Sequence, residues 1–158
     1  MLNTLSIASD IKYSVLDISK YFVKSGVLLN HKKLQKMVYY AYSWYLVENN
    51  INEDCLNNKL FDNRIEAWVH GPVCPDLYYA YNNNNISSYK EKEIDSMTQK
   101  IINMIIIIYG KYTGEELERM THNEEPWKNA RKGYSTYERS NVEIKDKDIY
   151  DFYSSKII

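Results

Sequence analysis

Three histidines, His31, His70 and His122, and two cysteines, Cys55 and Cys74, are the residues of this chain best suited to chemistry. Cys74 follows His70 by four positions, and a nearby imidazole can stabilise a thiolate nucleophile. An enzyme built here would use His70, Cys74 and His122. No third orienting residue and no oxyanion-forming pattern accompanies them, so the reading is of a protein that is not an enzyme. The histidines are scattered, and neither CxxC nor HExxH occurs, so converging metal ligands are not expected. The five glycines form no nucleotide-binding pattern, and no cofactor is implied.

Charged and aromatic residues offer binding rather than catalysis. Lys32, Lys33 and Lys36 fall in the first two turns of a helix, where positive charge opposes the helix dipole by a few tenths of a kcal/mol each. They serve either an acidic or phosphate-bearing partner or a solvated face with compensating carboxylates. Trp68, His70, Gly71 and Pro72 form the most distinctive turn, and Trp68 reads equally as an interface anchor or a core plug. His122 and Trp127 pose the same choice, with Thr121 or Asn123 available to cap the next turn. Lys128, Arg131 and Lys132 make a small basic cluster that could touch nucleic acid, although no helix-turn-helix pattern supports it.

The elements that position these residues are mostly helical. Ser14 and Asp17 fit a capping box, with Val15, Ile18 and Phe22 on one face and Gly26 ending the helix. A second helix, about 30–49, repeats Leu34, Met37, Val38, Ala41, Trp44 and Tyr45 at helical spacing. Its other sides carry Tyr39, Tyr42 and Leu46, leaving a narrow polar stripe of Lys33, Lys36, Tyr40 and Ser43, so it belongs at the centre of the fold. Periodicity then vanishes, and Arg64 to Val69 alternates loosely, which predicts a small strand or hairpin near 60–73, with Gly71 and Pro72 making a turn. Pro75 opens a short helix bearing Leu77, Tyr78 and Tyr81. The tract Asn82 to Asn85 reads as a loop.

A helix from about Asp95 to Tyr109 is read with Met97, Ile101, Ile105 and Ile108 inward, fully packed, and Gly110 as its cap. Thr113 and Glu116 form a second capping-box pattern, opening a brief helix with Leu117 and Met120. Pro126 and Trp127 begin another turn or helix. Val142 and Ile144 suit a small strand before a last helix from about Asp146 to Tyr153. The expected fold is therefore mainly α: one domain over 1–158, a compact bundle of about five to six helices around the central one, with no internal repeat.

Composition narrows the function. Twenty basic against 21 acidic residues leave a formal charge of -1, so no global field recruits nucleic acid or an anionic membrane. Hydrophobic residues at 44% and charged residues at 26% are ordinary for a globular protein. Two cysteines do not make a disulfide framework, and Met1 to Lys12 does not read as a secretory signal, so a cytoplasmic location is expected. The most apolar run, Ile101 to Tyr109, is about half of the ~20 residues a membrane span needs. Abundant Tyr, Ile, Asn and Lys have AT-rich codons, so part of the tyrosine content reflects genome composition.

Three ordered segments carry a family likeness. They are Leu34 to Ala41 (LQKMVYYA) with Trp44; Leu60 to Val73 (LFDNRIEAWVHGPV) with Leu77 and Tyr78; and Glu116 and Leu117 followed by Thr121, His122, Pro126, Trp127, Ala130 and Arg131. Together they resemble the Panacea domain, the SocA-like antitoxin family, whose members are sometimes labelled phage-associated proteins. The likeness spans about 14–153. Tyr42 and Ser43 stand where a Gln and a small residue are common, and Cys74 where an aliphatic residue is common.

The resemblance implies neutralisation of a cognate toxin, usually encoded by the adjacent gene, through direct protein contact in the manner of a type II toxin–antitoxin system. Masking the toxin and presenting it to a protease are both open. A phage-encoded modulator of a host protein is the alternative. Candidate partner contacts are Lys33, Lys36, Trp68, His70, Tyr78, His122, Trp127 and Arg131.

Overall fold

In the computed structural model, which describes residues 11–157, four helices start at a side-chain cap and two more at a proline. Ser14 and Asp17 close a reciprocal capping box on α1 (Val15–Lys24), and Thr113 and Glu116 close another on α5 (Gly114–His122). Asn30 caps α2 (His31–Glu48), and Asp95 caps α4 (Ser96–Tyr109). Pro75, which has no amide to satisfy, opens α3 (Pro75–Asn82), and Pro126 lies in the first turn of α6 (Glu125–Ala130). Helix α7 (Asp146–Ser154) follows a long loop. The mainly helical class therefore stands, with seven helices among the described residues rather than five to six. The signal reading of the N-terminus falls largely outside the described residues. No described helix is long and apolar enough to cross a membrane.

Helix α2 is the hub. It packs against α1, α3, α4, α5 and α7 and against the second strand of the hairpin, so nearly its whole circumference is covered. The narrow polar stripe is covered as well. Lys33, Lys36, Tyr40 and Ser43 are all buried, because α4, α5 and the hairpin close over that side, with the Gly110 and Pro72 carbonyls and the Glu124 carboxylate at the start of α6 as partners. Tyr40 donates to Glu124, Tyr153 donates to the same carboxylate at 2.9 Å, and Ser43 donates to the Tyr39 carbonyl at 2.8 Å. Burial holds Glu124 above the ordinary carboxylate range despite those two hydroxyls.

Helix α4 is rotated from its expected phase. Thr98, Ile102, Ile105 and Tyr109 face the core, whereas Met97, Met104, Ile107 and Ile108 are exposed, so the helix is not fully packed. Two polar anchors set the phase. Thr98 is tied to the Asp95 cap through both its amide and its hydroxyl. Tyr109 stacks on Tyr40 at 4.0 Å and accepts from Trp44 Nε1.

Strands β1 (Glu66–Trp68) and β2 (Gly71–Val73) pair antiparallel with Trp68 opposite Gly71. The segment around Val142 and Ile144 adds to the free side of β1, through Ala67 N–H to Val142 O and Ile144 N–H to Ile65 O. Gly71 has a φ of +101°, and a Cβ there would lie 2.7 Å from Lys36 Cε and 2.9 Å from Thr121 Oγ1. Both the dihedral and the space exclude a side chain. Gly71→Ala is expected to cost roughly 2–3 kcal/mol. Urea midpoints would check this, and a loss near zero would mean that the turn relaxes freely.

Candidate functional site

An open groove of about 1060 Å³ lies between the start of α2, the hairpin, α3 and the loop 137–141. One wall is built on a run of rings in contact with one another. Tyr81 lies on His31 at 4.0 Å and 12°, His31 meets Tyr78 at 5.1 Å, and Tyr78 meets Trp68 at 4.9 Å. Trp68 is oriented by its Nε1 donating to Glu66 Oε1 at 2.9 Å, and its carbonyl accepts from Trp127 Nε1. Tyr79, next along α3, is 60% exposed. Tyr137 and Arg139 form the facing rim.

Lys36 lies at the base of this groove, 1% exposed, donating to the Pro72 carbonyl at 2.9 Å. Burial pushes its amine down to about 7, with Glu118 pulling upward and Lys32 pushing down. Glu118 is the local hub of charge. It accepts from Lys32 at 2.7 Å and from His70 Nδ1 at 2.8 Å, and His122 Nε2 lies 3.9 Å away. Burial acts to raise the Glu118 carboxyl, but the hydrogen bonds from Lys32 and His70 outweigh it and hold it low. His31 is lowered by burial and by the nearby Lys36.

The structure thus brings Lys36, Trp68, His70 and Tyr78 together on one groove. The other four candidates lie elsewhere. Lys33 turns inward to donate to Gly110 O at 2.6 Å, placing a cation at the C-terminal end of α4, where the dipole favours it. Neither Lys33 nor Lys36 is the surface lysine expected from its place in α2.

His122 stacks on Trp127 at 4.0 Å, and burial lowers its ring against the pull of Glu118. Its Nε2 has no hydrogen-bond partner among the described residues. Neither Thr121 nor Asn123 caps α6, whose N-cap is Glu124. Arg131 is buried, not part of a basic surface cluster. Its guanidinium donates to Ala67 O, Ser135 O and Glu138 O and sits 5.1 Å above Trp127, because the 131–138 loop wraps around it.

Cys74 is buried under the groove, and burial pushes its thiol up to about 11, so it is a protonated thiol at neutral pH. His70 is engaged with Glu118. The described residues contain no group of three His, Cys, Asp or Glu side chains placed to hold a metal ion.

Residue-by-residue reading missed Gln35, Tyr79, Tyr137 and Arg139. Gln35 clasps the Cys74 backbone, accepting from its N–H at 2.9 Å and donating to its carbonyl at 3.3 Å. Its signal was its place inside the LQKMVYYA segment. The other three carry no periodic or motif signal.

The segments that build α2, the hairpin, α3 and α6 coincide with a family model. The model described as antitoxin SocA-like, Panacea domain, matches residues 34–128. The chain belongs to this family. The match takes in the hairpin and α3 walls and, on α2, Gln35 and Lys36, whereas His31 and Lys32 before it and the rim residues Tyr137 and Arg139 of this Panacea protein after it lie outside. Neither a curated protein nor a solved structure matches the chain.

Proposed function

We propose that this protein is the antitoxin of a type II-like toxin–antitoxin pair, acting in the cytoplasm by binding the toxin encoded beside it and not by catalysis. The observation that carries the reading is the Panacea-domain match over residues 34–128, which covers the central helix and most of the groove. The character of the groove supports it. Rigid aromatic faces with a polar rim are what protein recognition uses, and the buried thiol of Cys74 is a poor nucleophile.

Co-expression tests the proposal. The adjacent gene's product alone is expected to arrest growth, and adding this chain is expected to restore it and yield a stable complex. A harmless neighbour, or a toxic one that this chain does not rescue, would overturn the proposal. The toxin's half-life in rescued cells separates the two modes: an unchanged half-life means masking, and a shortened one means delivery to a protease.

A further inference from the structure

Resting on that reading, we propose that the groove between α2, the hairpin, α3 and the 137–141 loop is the toxin-binding site, and that it takes an extended, acidic segment of the toxin lying across the aromatic wall with a carboxylate on Arg139.

Size is the first argument. Small-molecule pockets bury their ligand, whereas this groove, at about 1060 Å³ near the upper end of the roughly 300–1,000 Å³ such pockets span, is open to solvent. It suits a stretch of chain more than a compact ligand.

Charge is the second. Among the described residues Arg139 has no ion-pair or hydrogen-bond partner for its guanidinium. The groove's half-buried lysine, Lys32, is already engaged by Glu118 at 2.7 Å and Glu115 at 3.7 Å. The acidic residue on the lining, Glu66, is neutralised by Arg64 and accepts from Trp68. The surplus is therefore one free guanidinium with its planar fork of donors, which selects a carboxylate. Complementarity of this kind sets specificity and encounter rate.

Preorganisation is the third. Trp68 is held by its hydrogen bond to Glu66, and Tyr78 by ring contacts with Trp68 and His31, while Tyr79 and Tyr137, 60% and 86% exposed, leave ring surface uncovered. Rigid aromatics of low side-chain entropy dominate interface energetics.

The backbone excludes a different mode. Addition of the toxin as a strand would need open polar groups along β2, but Pro72 has no N–H, its carbonyl is taken by Lys36, and Gln35 takes both backbone groups of Cys74. Recognition here runs through side chains.

The test is titration calorimetry of the full chain with the purified product of the adjacent gene. Arg139→Glu and Tyr79→Ala, both at exposed positions, are each expected to weaken binding about 10-fold or more. Ile107→Ser, on the exposed side of α4, is expected to bind as the parent does. Overlapping synthetic peptides tiling the toxin should compete only where they carry acidic residues.

Thermal melts confirm that the variants fold. If the parent chain binds and rescues growth while both groove variants keep its affinity, the site assignment is wrong and the antitoxin reading stands. Weakening by Ile107→Ser in place of the groove variants would relocate the interface to α4 and overturn the assignment too. Absence of binding by the parent chain overturns both. Competition by basic or neutral peptides alone would overturn the acidic-segment claim.

Discussion

Lys36→Met is expected to abolish a rise in stability with pH that approaches 1.4 kcal/mol per pH unit between about pH 7 and pH 10. The amine is wholly buried against Pro72 O, and burial brings it down to about 7, whereas the unfolded chain titrates near the ordinary 10.5. Between those values the unfolded state holds a proton that the folded state has released. Raising the pH therefore favours folding until the unfolded amine also loses its proton. Below about pH 7 both states are protonated, the slope vanishes, and the fold carries a buried ammonium faced by Glu118 and opposed by Lys32.

Methionine keeps the length of the side chain without the charge, and other titrating groups contribute to both proteins. The gap between parent and variant should thus widen in the parent's favour by about 2–3 kcal/mol from pH 7 to pH 9. Urea unfolding at the two pH values measures it. Parallel stability profiles would show that Lys36 stays charged in the folded protein.

The second large effect is expected at Arg131. Arg131→Ala removes a guanidinium that donates at 3.0, 2.9 and 2.6 Å to the carbonyls of Ala67, Ser135 and Glu138 and packs over Trp127. These buried or partly buried acceptors, and the Thr136 carbonyl at 3.5 Å, lose their donor at once. The stack on Trp127, whose own Nε1 holds the Trp68 carbonyl, is lost with them. Charge-assisted bonds contribute about 1.5–3 kcal/mol each and do not add fully, so the expected loss is roughly 3–5 kcal/mol.

Arg131→Lys should recover only a small part, because an ammonium cannot span the same three acceptors. Chemical denaturation of both variants decides. A loss below about 1 kcal/mol for the alanine variant would mean that the 131–138 loop is held by other contacts. The expected size separates this residue from a surface cation, whose removal typically changes stability within ±0.5 kcal/mol.

Much of the scaffold was legible because its signals are local. Ser14 with Asp17 and Thr113 with Glu116 announce helix starts through bonds made within four residues, and Val15, Ile18 and Phe22 share a face by helical spacing alone. The hairpin near Trp68 and Gly71 and the proline start of α3 are equally local. Helix α4 was misjudged in phase. The run Ile105 to Ile108 is apolar on every side, so periodicity holds no phase, and the choice fell to Thr98 and Tyr109 through partners outside that run.

The candidate site was legible in part. Trp68, His70 and Tyr78 line the groove, whereas Lys33 and Arg131 hold carbonyls inside the fold. Tyr79 and Arg139 were silent, because an exposed side chain outside the buried face leaves no trace in spacing.

The amino-acid sequence by itself determined the helix starts, the place of the hairpin and the family motifs, all of which depend on neighbours a few positions away. Tertiary structure alone decided which motif residues support the fold and which remain free to bind. The fate of Lys36 rests on Pro72, 36 positions on, and that of Arg131 on Ala67, 64 positions back. A buried cation and an exposed one have the same local sequence signature. What separates them is desolvation, and that is imposed only when distant elements close over the side chain.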